Sequence, residues 1–525
     1  MNDLPPVYPD SFPAPAGEES SNYSPALREA LHQAADKVAD YLSELGSRPI
    51  FPTHAQAPSG PLLPEFGEPL HELFDDAADW AIENSVHVGH PGYVGHMDSG
   101  VAIAGILGDF MASALNQNLL AYELAPGATL LEKRLIRLFN DLAGLGPEAG
   151  GIFTTGGTTA NLTALLLARN AACQQSSDCG LVDQPQLCVF ASADAHYSIA
   201  KACAVLGIGS NYVIKVAVTG AERRMDVEAL HQAYAEALHQ GQLPIAVVAT
   251  AGTTSCGAID PIPDLADFCT NHGLWLHVDA AHGGALLTHR VESRRLAGIE
   301  RADSITIDPH KWLYAPKSAG VLLVARESEL RTANYEAPYL DRFSTQGEAL
   351  PVSQGRRALD GSRRFDALKV WMILRHCGQN GLERLLDSRL QLTRSFHQAL
   401  SQHDFFMPSH LPDMNVQVFQ PRDSAHHDAI EAAHRQIEAE GRFWSSYTRL
   451  DGSPRHRVVL INPATSAADL TTLLDRLAAT HQQLFSAHQN PEHLSPKGRS
   501  VPPLALLHSS PAHRSKDGSR GLTVD

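Results

Sequence analysis

Leu274-Trp275-Leu276-His277-Val278-Asp279-Ala280-Ala281-His282-Gly283-Gly284 and Ser304-Ile305-Thr306-Ile307-Asp308-Pro309-His310-Lys311-Trp312 are the two stretches that decide the fold. Each begins as a short, largely apolar or β-branched run and ends on a group able to do chemistry: a carboxylate at Asp279 and an amine at Lys311. Unbroken runs of this kind mark strands buried on both faces, and such strands belong to sheets covered by helices. Ligands of open α/β sheets sit beyond the carboxyl ends of the strands, where both groups fall.

The same alternation extends in both directions. Further strands are expected at Gly151–Thr154, Leu187–Ala191, Tyr212–Val216, Ile245–Thr250 and Gly320–Val324, with helices at Ile103–Leu115, Thr129–Leu145, Thr158–Ala172 and Val227–Leu238. Strands punctuated by helices predict an α/β domain with a mainly parallel sheet over residues 100–370. Residues 371–488 carry long helical patterns and amphipathic strands (Asn415–Phe419, Arg457–Leu460), which predict a smaller α+β domain. Residues 1–99 read as an arm plus helices. Within them Pro25–Leu45 places Leu27, Leu31, Ala34, Val38 and Leu42 on one face, and a second helix covers Leu70–Asn84. Residues 1 to 24 and 489–525, rich in Pro and Ser without periodicity, read as a disordered leader and tail.

With 41 basic against 58 acidic side chains, the net charge of -17 leaves no surplus to neutralise phosphates. Nucleic acid and anionic membranes are therefore not expected partners. No apolar stretch reaches the roughly 20 residues that span a bilayer, and the start of the chain lacks a secretory signal pattern. The seven cysteines include no CxxC pair and are odd in number. That usage suits a reducing cytoplasm and gives no metal site.

Two further motifs sit at strand ends. Thr154-Thr155-Gly156-Gly157-Thr158-Thr159-Ala160-Asn161 joins a strand to a helix, and its glycines and free helix-start amides suit a phosphate, although an ordinary turn would also read this way. It matches no nucleotide-binding pattern. Ala193-Asp194-Ala195-His196-Tyr197-Ser198 offers a His that could stack on an aromatic ring or be purely structural. Asp279 would be partly buried and in need of a partner, such as a structural Arg, backbone amides or a protonated pyridine nitrogen. Lys311, past an apolar strand and beside Trp312, is placed where desolvation favours the neutral amine of Schiff-base chemistry.

Order and spacing join these parts: a Gly-Gly-Thr turn, a strand-end His, Gly252-Thr253-Thr254, Asp279, and His310-Lys311. In this arrangement the chain, over roughly residues 65 to 485, resembles the group II PLP-dependent amino-acid decarboxylases of fold type I. These include the aromatic-L-amino-acid, glutamate, cysteine-sulfinate and 2,4-diaminobutyrate decarboxylases, and HVDAA and PHKW carry most of the likeness. The resemblance implies pyridoxal 5'-phosphate (PLP) as cofactor. It implies that Lys311 binds it covalently, Asp279 pairs with the ring nitrogen, His196 stacks on one ring face and Ala281 packs on the other. Gly157, Thr158 and His310 would lie at the phosphate and Thr254 near the ring substituents. It also implies a homodimer with a shared active site.

The stretch His90-Pro91-Gly92-Tyr93-Val94-Gly95-His96-Met97-Asp98 resembles the family's substrate-pocket segment, with Gly92 where an Arg is usual. His96 and Asp98 are the candidate substrate contacts, and Asp98 could pair with a basic side chain or cap the following helix. Ser362-Arg363-Arg364-Phe365-Asp366-Ala367-Leu368-Lys369 resembles the diaminobutyrate branch. Two departures stand out: no Tyr lies between Asp341 and Arg364, where the family carries a proton-donating Tyr, and Asp308 replaces a common Asn. The implied reaction is decarboxylation of an L-amino acid to its amine, with an aldehyde synthase or aminotransferase of the same fold as the alternative.

Overall fold

The structure is a computed structural model that describes residues 25–52, 54–333 and 353–489. Its main sheet contains β1 (Gly150–Thr154), β2 (Leu187–Ser192), β3 (Val213–Val216), β4 (Leu243–Thr250), β5 (Trp275–Asp279), β6 (Ser304–Ile307) and β7 (Gly320–Val324). Their spatial order is β1-β7-β6-β5-β4-β2-β3. Strands β2 to β6 run parallel, and only β7 opposes its neighbours β1 and β6. A parallel return requires a crossover, usually helical, and none intervenes between Ile307 and Gly320. The chain therefore doubles back, and that return carries Asp308, His310 and Lys311.

Every residue of β1, β2, β5, β6 and β7 is buried, which accounts for their unbroken apolar runs. Successive residues alternate between two cores: Cys188 and Phe190 of β2 pack on one side, Leu187, Val189 and Ala191 on the other. The expected helices form as α1 (Pro25–Glu44), α2 (Leu70–Glu83), α3 (Ile103–Leu115), α4 (Pro126–Ala143) and α5 (Gly157–Ala172). Two others escape the sequence pattern, α6 (Ser198–Val205) and α8 (Ile262–His272), which flank the expected α7 (Val227–His239). Helix α6 is a short, Ala-rich run, and α8 opens on Pro261 and Pro263, which a helix start accommodates.

Helix α3 is turned inside out. Its small residues Ala104, Gly105, Gly108 and Ala112 are buried. A Cβ on Gly108 would lie 2.7 Å from Lys369 Cα, and one on Gly105 would lie 2.6 Å from Pro316. Its large residues Ile103, Leu107, Phe110 and Met111 face outward, between 46% and 65% exposed. Helix α1 likewise leaves Leu31 and Val38 of its expected apolar face exposed, while Ala34 and Leu42 are half-buried among the described residues.

Helix α9 (Ala367–Gln402), interrupted at Gly378, leads into an antiparallel sheet of β8 (Phe406–Pro408), β9 (Val416–Pro421), β10 (Ser446–Leu450) and β11 (Ser453–Val459). Helices α10 (Ile430–Ala439) and α11 (Ala467–Gln489) cover it. The segment around Tyr93 is sewn onto this unit: Val94 N–H donates to Trp444 O at 2.8 Å and Val459 N–H to Val94 O at 2.7 Å. Among the described residues no helix is long and apolar enough to cross a membrane.

The small unit buries a histidine pair, His456 and His481, whose Nε2 atoms lie 3.0 Å apart. Burial lowers both, His481 to about 4, so each is neutral when folded. An unfolded imidazole binds its proton near 6.5, so acid favours the unfolded chain. The stability these groups contribute is complete above about pH 6.5 and is lost as pH falls towards about 4. A urea midpoint that falls over this interval in the native chain, and falls less in His481→Phe, is the expected result.

Candidate active site

A cavity of about 320 Å³ opens at the carboxyl ends of β4, β5 and β6, facing the start of α5. It gathers Gly157, Thr158, His196, Thr254, Asp279, Ala281, His310 and Lys311 in one lining. The tight return after β6 places Lys311 Nζ 3.3 Å from Asp308 Oδ2. Asp308 is buried, its other oxygen has no partner, and His310 Nε2 lies 3.7 Å from Oδ2. The replacement noted at this position therefore faces the lysine and the cavity.

Asp279, 5% exposed, accepts from Asn161 Nδ2 at 2.8 Å and from Ala281 N–H at 3.2 Å. No cationic side chain pairs with it among the described residues. At the opposite wall, Gly156 and Gly157 bring the backbone close: a Cβ on Gly157 would lie 2.9 Å from Asp308 Oδ2 and 3.2 Å from Ala281 Cβ. The first amides of α5 have no partner inside the helix, by helix geometry.

His196 Nδ1 lies 2.8 Å from Ser198 Oγ. Burial lowers the His196 pKa, and nearby Asp279 opposes this only in part. His310 is also lowered by burial, and its Nδ1 lies 2.6 Å from Ala319 O. His282 stacks on Trp312 at 5.3 Å, bonds Asn415 Oδ1 through Nε2 at 2.7 Å, and is pushed by burial to about 3.

The two candidate substrate contacts are placed differently from the rest. Met97 lines the cavity, but His96 and Asp98 do not. Asp98 makes an ion pair with Lys317 Nζ at 2.6 Å, and α3 has Ala102 at its N-cap with no side-chain cap, which removes the capping reading. His96 packs edge-on to Trp444 and lies 3.2 Å from Arg457 Nη2. Gly92 could not be the family's Arg in this backbone, since a Cβ there would lie 2.2 Å from Arg442 O. Tyr335, Tyr339 and residues 341–352 lie outside the described residues.

Three contributors escaped the sequence reading. Asn161 was quoted within its turn, but only the fold brings it to Asp279, 118 positions away. His282 stood within the HVDAAHGG stretch without a role. Arg457, on β11, is buried without a carboxylate: it donates to Thr254 O at 2.6 Å, Gly95 O at 2.9 Å and Ser446 Oγ at 2.8 Å. It thereby ties the small unit to the cavity wall, and no local pattern announces a contact between such distant segments.

Residues 52–420 match the pyridoxal-dependent decarboxylase conserved domain. The chain is 34% identical over 474 residues to the L-2,4-diaminobutyrate decarboxylase of Rhizobium meliloti, covering 89% of this chain and 94% of that protein. It is 33% identical to the acidic amino acid decarboxylase GADL1 of Bos taurus, over 79% of this chain and 82% of that one. Among solved structures, mouse CSAD in apo form superposes with a TM-score of 0.79 at 28% identity, covering 87% of this chain and 99% of that one. The chain therefore belongs to the pyridoxal-dependent decarboxylase family, as a PLP-dependent amino-acid decarboxylase.

Proposed function

We propose that PLP is held in this cavity on Lys311, and that the preferred substrate is a short basic amino acid of the 2,4-diaminobutyrate type. Asp279 carries the cofactor placement. It is a buried carboxylate with two neutral donors and no cation, and a lone buried charge is costly. A protonated pyridine nitrogen brings the missing positive charge. The other end of the cofactor suits the start of α5, where unpartnered amides and the close backbone at Gly157 leave room for a phosphate.

When bound, the cofactor supplies an electron sink for the pair released at Cα as CO2 departs. The residues provide the rest. Asp279 would keep the ring nitrogen protonated, and His196 and Ala281, in the same lining, would help hold the ring. Thr254 stands near the ring substituents, held from behind by Arg457. His310, fastened to the Ala319 carbonyl, supports the phosphate end. Asp308 accepts from the Lys311 ammonium, and so can hold a proton beside that amine while it is exchanged for the substrate amine.

The substrate class rests on the similarity to the diaminobutyrate enzyme over 94% of its length. His96 and Asp98 flank Met97, which lines the cavity, and Asp98 is paired with Lys317. The outward apolar faces of α3 and α1, together with Leu62, Leu63 and Phe66 at 78% to 91% exposure, support a homodimer.

Four outcomes are expected. A panel of L-amino acids should give its highest kcat/KM with 2,4-diaminobutyrate, and a higher value for glutamate or tyrosine would overturn the substrate class. Asp98→Asn should lower that value for the basic substrate alone if Asp98 exchanges Lys317 for substrate. Gly157→Ala, by overpacking against Asp308 and Ala281, should raise the PLP Kd by about tenfold in an equilibrium titration. Light scattering should report twice the 56.7 kDa chain mass, and Leu107→Glu with Phe110→Glu should halve it.

A further inference from the structure

Behind the cavity lies a buried chain of hydrogen bonds whose direction can be worked out from its carboxylate end. Trp275 Nε1 can only donate, and it lies 2.8 Å from Ser304 Oγ. The Ser304 hydroxyl keeps a second lone pair, so its sense towards His277 Nδ1, 2.9 Å away, is set from the other end of the network. Burial lowers His277 to about 4, so this imidazole is neutral and carries a single ring proton, which the partner of Nε2 locates. Nε2 lies 3.0 Å from Asn161 Oδ1, which must accept. At that other end, Asp279 Oδ2 can only accept, and faces Asn161 Nδ2 at 2.8 Å. The second Nδ2 proton goes to Ser198 Oγ at 3.0 Å. Ser198 in turn donates its hydroxyl proton to His196 Nδ1 at 2.8 Å, and its backbone N–H approaches the same nitrogen at 3.3 Å. Asn161, Ser198, His277 and Ser304 are all at most 1% exposed, so water does not offer substitutes.

We infer that Asn161 is a positioning residue whose single amide orients the Asp279 carboxylate and, through Ser198, fixes His196 as the tautomer with its proton on Nε2. One side chain thus sets both the group that faces the ring nitrogen and the group that flanks the ring. Were the amide reversed, its oxygen would face the Asp279 carboxylate and the Ser198 hydroxyl would be free to turn. This inference rests on the assignment of Asp279 and His196 to the cofactor.

The test is nitrogen NMR of the ¹⁵N-histidine-labelled holoenzyme, with His196 identified by the signal lost in His196→Gln, alongside PLP affinity and pH profiles. The native enzyme should show His196 with bare Nδ1 and protonated Nε2. Ser198→Ala should turn that signal into a tautomer mixture. Asn161→Asp keeps the shape but can donate only when the new carboxyl is protonated. Its PLP Kd should rise and its kcat/KM fall by about tenfold or more at pH 8, and its kcat/KM relative to native should recover towards acid pH. A protonated Nδ1 in the native enzyme would overturn the inference. So would an Asn161→Asp activity ratio that is flat with pH. If the tautomer responds as described while Kd and kcat/KM stay native, the network stands and the assignment of its two ends to the cofactor fails.

Discussion

A carboxylate buried at the end of a central strand, with no cation to meet it among the described residues, is the constraint around which the structure is arranged. Asp279 is held by one amide and one backbone N–H, both neutral. Taking such a charge out of water costs several kcal/mol even after relaxation, and neutral donors offset only part of it. Everything nearby is organised to keep that charge in place and facing the cavity. Strand β5 is buried along its whole length, Asn161 reaches across from α5, and His277 and Ser304 steady Asn161 from below. A cationic ring is the partner proposed for that charge.

The second organising feature is the return between β6 and β7. Because the chain has no helix there with which to cross over, it reverses, and the reversal puts Lys311 and His310 at the same cavity as Asp279. The antiparallel β7 that results also brings Gly320 against Gly156, where an added Cβ would lie 2.5 Å from Gly156 Cα. One topological irregularity therefore delivers the amine and presses the glycine-rich turn into shape.

Most of this was legible in the sequence where the signal is local. Seven strand runs, the turn at Gly156-Gly157 and the strand-end groups Asp279 and Lys311 declare themselves through composition and position. What was not legible depends on segments far apart in the chain. Asn161 meets Asp279, Arg457 meets Thr254, and the substrate-pocket segment is stitched to Trp444 and Val459; none of these contacts leaves a periodic trace. Asp98, expected to pair with a basic substrate or to cap the following helix, instead meets Lys317, which arrives from the return after β6. The small helices α6 and α8 were hidden by Ala-rich composition and by prolines that a helix start accepts.

The most direct test of the central claim is Asp279→Asn, an isostere that can keep its place beside Asn161 and Ala281 while losing the charge. PLP titration and turnover are measured on both proteins. If the carboxylate is there for a protonated ring nitrogen, the variant should hold its fold, bind PLP more weakly, and lose about a hundredfold or more in kcat. A variant that binds PLP and releases CO2 at the native rate would contradict the account.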